Sequence, residues 1–253
     1  MFFETHAHYD DSAFDSDREQ VISALRDAGV EFVINPGCDI ASSMKAREIA
    51  LLHDFVWFAA GIHPEEIADL PDDWCERIAE ISDSTRCVAI GEIGLDYYWD
   101  TSMKELQKEV FEAQLVLAEK KNLPVIIHDR EAHGDCFEIV SRHPDLRGVF
   151  HCYSGSAEMA SELLKRGWYL GFDGPVTYKN ARKTLEVLAV TPPERILIET
   201  DSPYMAPVPV RGKRNDSRNL QYIAAKIAEV KGMTPEDLAA RTACNAKTLF
   251  NLS

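Results

Sequence analysis

The most specific local pattern in the chain is His6-Ala7-His8, next to the amino terminus. Residues i and i+2 of a strand project from one face, so both imidazoles can reach one ion. Other ionisable residues follow short apolar runs. His63 follows 55–62, Glu92 and Asp96 follow 88–90, His128 and Arg130 follow 125–127, His151 follows 148–150, and Glu199 and Asp201 follow 196–198. Four histidines (His6, His8, His128, His151) and two carboxylates (Glu92, Asp201) exceed what one catalytic ion with an open position takes from protein. The count therefore predicts two divalent ions. Glu92 would bridge them, with His6, His8 and Asp201 on one side and His128 and His151 on the other. Two ions roughly 3.5–4 Å apart can activate a water and hold both the attacked group and the leaving oxygen. Mixed His/carboxylate donors suit Zn, Mn, Co or Ni and accommodate weakly held Mg.

Within that set Glu92 and Asp201 carry the catalytic expectation. Asp201 is placed to accept the proton of an attacking water as well as to ligate. Glu199 shares its strand face and is expected to support a histidine ligand from outside. His53, His133 and His143 fall in helical contexts and are expected on the surface. Cys152 adjoins His151 and is expected on the opposite strand face, with no nucleophilic role.

An anionic substrate, such as a phosphate ester, would need cations or donors around the metals. Arg130 follows His128 by two residues and so faces the same side, where its fork could take an anionic oxygen. His63 is a second candidate for such a contact. The segment after the 196–198 run holds Arg211, Lys213, Arg214 and Arg218 against Asp216 alone. Lys213 and Arg214 lead this basic loop as substrate contacts. Tyr97-Tyr98-Trp99 could stack on a nucleobase or simply pack on the rim.

Such a constellation requires elements that bring distant segments to one place. Eight apolar, β-branched or aromatic runs recur at roughly βα-unit spacing and alternate with helical patterns. They are 2–3, 32–34, 55–62, 88–90, 125–127, 148–150, 169–172 and 196–198. Ser16-Asp17-Arg18-Glu19 and Ser102-Met103-Lys104-Glu105 match the capping box. Gly29 and Gly167 sit where a helix should end. Leu106, Val110, Ala113 and Leu117 form one apolar stripe on a helix within 102–122. Thr234-Pro235-Glu236 opens a last helix. These features predict an α/β fold, a (β/α)8 TIM barrel of parallel strands with an extra C-terminal helix, over residues 1–253 as one domain. An open doubly wound sheet is the alternative. In a barrel, all the ionisable strand ends share one face, where such enzymes place their chemistry.

The chain of 253 residues is 45% apolar and carries Lys+Arg 27 against Asp+Glu 42, a net charge of −15. That excludes a generally basic nucleic-acid-coating protein but not a local basic site. Six scattered cysteines without a C-x-x-C pair point to reduced thiols and a cytoplasmic protein. No signal-peptide pattern opens the chain, and no apolar run is long enough to cross a bilayer.

Several strings together resemble the TatD family: Glu4-Thr5-His6-Ala7-His8, Gly61-Ile62-His63-Pro64, Gly91-Glu92-Ile93-Gly94-Leu95-Asp96-Tyr97, Pro124-Val125-Ile126-Ile127-His128-Asp129-Arg130, His151-Cys152-Tyr153-Ser154-Gly155, Glu199-Thr200-Asp201-Ser202-Pro203 and Asn245-Ala246-Lys247-Thr248-Leu249-Phe250. This family comprises metal-dependent hydrolases, many of them deoxyribonucleases, within the amidohydrolase superfamily. The resemblance implies a divalent-metal-dependent phosphodiesterase, typically a nuclease on DNA ends, with the same six ligands. Glu4 stands where the family usually has Asp, and Glu65 where it often has a second His. Two other readings keep the metal residues: a hydrolase of an amide, ester or lactone, and a non-catalytic metal-stabilised binding scaffold.

Overall fold

The structure is a computed structural model that describes residues 1–252. Its eight strands are β1 (Phe2–Glu4), β2 (Val30–Pro36), β3 (Val56–Ala60), β4 (Cys87–Asp96), β5 (Val125–Arg130), β6 (Gly148–Phe150), β7 (Tyr169–Phe172) and β8 (Ile196–Ile198). They pair in parallel in sequence order from β1 to β8. The ring closes just beyond the ends of β8 and β1. Asp201 N donates to His6 O at 2.9 Å, His8 N donates to Ser202 O at 2.7 Å, and Ala7 bridges Ser202 in parallel. Closure removes the edges that an open sheet would leave unpaired. The expected barrel is observed, and the open-sheet alternative is excluded.

The helices among the described residues are α1 (Arg18–Leu25), α2 (Ile40–Leu52), α3 (Trp74–Ser82), α4 (Lys104–Lys121), α5 (His133–Ser141), α6 (Ala157–Lys165), α7 (Arg182–Val190), α8 (Leu220–Lys231) and α9 (Pro235–Phe250). One apolar cluster lies between the strands and the surrounding helices. A second joins Phe3, Ile34, Ala59, Ala89, Ile126, Val149 and Leu197 with Leu249 and Phe250 of α9. The additional helix α9 thus closes the end of the barrel from which the strands start. It opens as expected, on the Thr234 cap, which accepts from Asp237 N at 3.1 Å.

Local expectations fail in three places, each for a physical reason. Neither Ser16 nor Ser102 caps a helix. The N-cap positions of α1 and α4 are Asp17 and Met103, without a side-chain cap bond. Asp17 is instead drawn to Arg214. The reciprocal capping box is at Asp39 and Ser42, on α2. Second, the buried face of α4 is turned from the expected stripe. Leu106 is exposed, and Gln107 and Gln114 are buried beside Val110, Phe111 and Leu117. Each glutamine amide pairs with both backbone groups of one residue at a strand end: Gln107 with Asp96 at 3.0 and 2.9 Å, and Gln114 with Ile62 at 2.7 and 3.0 Å. Third, His143 is buried. Its Nδ1 meets Glu119 at 2.9 Å and its Nε2 meets Glu112 at 3.1 Å, so α4 holds it by two carboxylates.

Candidate metal centre

The chemistry-bearing groups lie in the carboxyl-terminal half of their strands or just beyond them. Beyond β1 the strand-like alternation persists through the closing contact with Ser202, so His6 and His8 both face inward with Nε2 atoms 3.0 Å apart. Glu92 and Asp96 lie within β4 four residues apart, and His128 lies within β5. Two glycines make room. A Cβ on Gly94, at φ +147°, would lie 1.9 Å from His128 O, and one on Gly171 would lie 2.6 Å from Glu199 Oε1. Only glycine permits those approaches.

Glu92 is the hub. Its Oε2 is 3.1 Å from His6 Nε2 and 3.5 Å from His8 Nε2. Its Oε1 is 2.7 Å from His151 Nε2, 2.8 Å from His128 Nδ1 and 3.5 Å from His63 Nε2. Asp201 Oδ1 joins the first group, 3.7 Å from His6 Nε2 and 3.6 Å from His8 Nε2. The structure therefore brings together all six residues expected as ligands, in two groups either side of one carboxylate. Burial opposes ionisation of Glu92, but the surrounding imidazoles outweigh it and hold its carboxyl well below the usual range. Asp201 is likewise held low: burial opposes, and the His8 hydrogen bond and the charge of His6 prevail.

The donor set fits divalent cations. Tetrahedral ligands at the usual zinc–nitrogen bond length lie about 3.3 Å from one another. Donor atoms here are 2.7–3.7 Å apart, and His6 Nε2 and His8 Nε2, 3.0 Å apart, can share a cation or, without one, a proton.

Outside this set, three carboxylates lie beside the histidines and the seam. Asp96 Oδ2 meets His128 Nε2 at 3.0 Å, fixing which nitrogen faces Glu92. Glu199 accepts from Cys152 N at 2.6 Å and from Thr5 Oγ1 at 3.0 Å. It lies 3.7 Å from His151 Nδ1, which has no hydrogen-bond partner among the described residues, so the support expected for a histidine ligand is not formed as a hydrogen bond. Glu4 is fully buried at the closing seam, where His6 N, Thr200 N and Thr200 Oγ1 donate to it at 3.2, 2.9 and 2.7 Å. Burial pushes its carboxyl up to about 8. The roles of Asp96 and Glu4 escape a reading of types alone. The available signal was the even spacing of Asp96 from Glu92 and of Glu4 from His6, which puts each pair on one face.

His63 reaches the centre differently from the six. Its Nδ1 accepts from Glu65 N at 3.2 Å, leaving Nε2 as the protonated nitrogen pointing at Glu92. Burial and then the neighbouring His128 depress its pKa to about 3, so it is a neutral donor. Cys152 departs from expectation: β6 ends at Phe150 and φ at Cys152 is +41°, so the strand alternation that placed its thiol on the outer face does not reach it. Burial, followed by the charges of Asp173 and Asp201, pushes that thiol well up, which leaves it unreactive as a nucleophile.

The basic loop is less free than its composition suggests. Arg214 forks onto Asp17 at 2.8 and 2.6 Å and donates to Ala13 O at 2.7 Å, and Arg218 forks onto Asp216 at 2.8 and 2.7 Å. Arg211 lies over the Tyr178 ring. Lys213 is exposed and has no ion pair among the described residues. Of the four cations expected to be available, Arg214 and Arg218 are engaged by carboxylates, whereas Lys213 and Arg211 have no ion pair among the described residues. Arg130 stands at the end of β5 with its guanidinium 3.9 Å from the centre of the Tyr98 ring.

A family model described as TatD related DNase matches residues 3–251. A Bacillus subtilis protein named "Uncharacterized metal-dependent hydrolase YabD" is 44% identical over 255 residues, covering 100% of both chains. An Erwinia tasmaniensis protein named "3'-5' ssDNA/RNA exonuclease TatD" is 33% identical over 258 residues, covering 99% of this chain and 100% of the relative. The crystal structure of YJJV, a TatD homolog from Escherichia coli, superposes with a TM-score of 0.94 at 30% identity, covering 100% of this chain and 98% of that one.

Proposed function

The chain belongs to the TatD-related DNase family of metal-dependent hydrolases, and from that premise we propose that it cleaves phosphodiester bonds of nucleic acid, probing DNA first, with two divalent ions held at the barrel mouth. The observation that carries this reading is Glu92, whose two oxygens each face a separate group of imidazoles. His6, His8, Glu92 and Asp201 would hold one ion; Glu92, His128 and His151 would hold the other. Paired ions supply charge neutralisation for the phosphoryl group and a water of lowered pKa.

The protein's own groups complete the reaction. Asp201 is ionised and 16% exposed at its side chain, so it can take a proton from water arriving at the mouth. His63, a neutral donor whose Nε2–H points at Glu92, would have to turn that N–H toward a phosphate oxygen to contact substrate. Arg130 and Lys213 provide positive charge to the flanking phosphates, whereas Arg214 shapes the loop on which Lys213 stands. Six free cysteines favour a reducing compartment, and we assign the protein to the cytoplasm. No helix among the described residues is long and apolar enough to cross a membrane.

The test uses end-labelled single-stranded DNA and metal-stripped protein, to which Mg²⁺, Mn²⁺ or Zn²⁺ is returned in turn. Restored cleavage is expected, together with about two metal equivalents in the wild type and loss of turnover in Glu92→Gln with the fold retained. Failure to cleave with any metal, alongside hydrolysis of a carboxylic ester or lactone, would replace the phosphodiester reading. Normal metal content and turnover in Glu92→Gln would remove the bridge.

A further inference from the structure

Among the exposed large apolar side chains are Tyr98, 54% exposed, and Trp99, 65% exposed, directly after β4. Their rings meet edge to face, with centroids 4.7 Å apart. The Arg130 guanidinium covers the pair, 3.9 Å from the Tyr98 centroid and 5.3 Å from that of Trp99, with no carboxylate in ion-pair range among the described residues. Exposed aromatic surface beside an unneutralised cation is costly to leave without a purpose and suits a ligand that is flat on one side and anionic on the other.

The neighbouring Tyr97 does not belong to this surface. Its hydroxyl donates to Asp135 at 2.7 Å and Lys104 lies over its ring, so it anchors the loop. The loop is also tied to the metal centre through one side chain. Asp96 accepts from Tyr98 N with Oδ1 at 2.8 Å while Oδ2 holds His128 at 3.0 Å. Because the two rings are perpendicular, a base stacked on the Trp99 face would meet the edge of Tyr98, whose loop is tied through Asp96 to the metal-centre histidine His128.

We infer that Tyr98, Trp99 and Arg130 form a base-stacking subsite that takes an unpaired nucleobase of the strand whose phosphate lies at the metal centre. This rests on the nuclease reading and adds to it the residues that would hold a base. Both faces of a base in a duplex are covered by its neighbours, so a stacking platform at the rim selects single-stranded or frayed ends. Arg130 then serves two neighbours, with its plane against the aromatic rings and its edge toward the phosphate.

The test compares three substrates: a single-stranded oligonucleotide, an abasic strand of the same length, and bis-p-nitrophenyl phosphate. Trp99→Ala and Tyr98→Ala are expected to raise KM for the base-bearing strand by roughly 5- to 100-fold relative to the other two, the range of stacking losses on alanine substitution. Trp99→Phe should recover most of the loss. Independently of cleavage, the base-bearing strand should quench the fluorescence of Trp99 and the abasic strand should not, a difference absent in Trp99→Phe. Equal KM changes for base-bearing and abasic strands, or no base-dependent quenching, would overturn the subsite even if DNA is cleaved. Base-dependent quenching without cleavage would uphold the subsite and remove the nuclease reading.

Discussion

At the scale of single residues, the site depends on carboxylates doing different work in one small volume. Asp201 and Glu92 are held ionised by imidazoles, Glu4 is pushed toward neutrality by burial, and Asp96 orients His128 from outside. Asp201→Asn removes a negative donor and the proton acceptor together, so kcat should fall at least about 100-fold, with an altered pH–rate profile. A profile unchanged in height and shape would show that Asp201 does neither. Asp96→Asn is a gentler change, because the amide retains the shape but loses the charge that fixes the His128 tautomer. Metal affinity, measured by competition with a chromophoric chelator, should fall about 10- to 100-fold. Unchanged affinity would make Asp96 only an anchor of the Tyr98 loop.

At the scale of elements, α4 does more than cover the barrel. Gln107 and Gln114 replace apolar contacts with hydrogen bonds to backbone groups at the ends of β4 and near β3, where the ladder has stopped and groups would otherwise be orphaned. Those ends carry Asp96 and, next to Ile62, His63, so the helix supports the site through the backbone. Gln114→Ala leaves the N–H and C=O of Ile62 buried without partners, at about 1–3 kcal/mol for each group left unsatisfied. Urea denaturation should show a lowered midpoint with little change in slope. A change within about 0.5 kcal/mol would mean that water replaces the amide.

At the scale of the whole molecule, a net charge of −15 means that nucleic acid is repelled by most of the surface. On the proposed function, binding would fall to local cations such as Arg130 at the end of β5 and Lys213 on the exposed loop after β8. Lys213→Ala should weaken oligonucleotide binding and flatten the slope of log K against log salt by about 0.7, the value for one lost single-strand phosphate contact. Arg214→Ala tests the opposite expectation: its guanidinium is engaged by Asp17, so its removal should lower thermal stability through the lost clamp more than it changes the salt slope. Identical salt slopes for wild type and Lys213→Ala would take the loop out of substrate binding.

The sequence alone determined the barrel, since eight apolar runs alternating with helical patterns admit few other closures, and six of the eight runs were followed by a polar group on the same side. It also determined which six residues gather around Glu92 and its histidines, because donor types at strand ends are visible without coordinates. What it left undecided depends on contacts across long separations. Arg214 reads as a free cation until Asp17, almost two hundred positions away, is seen against it. His143 reads as a surface residue until α4 supplies two carboxylates, and Cys152 reads as outward-facing until the chain turns at positive φ. Periodicity reports which way a side chain points along its own element. Only the tertiary structure decided what it met there, and for charged and hydrogen-bonding groups the partner settles whether a residue is free to bind substrate or holds the fold.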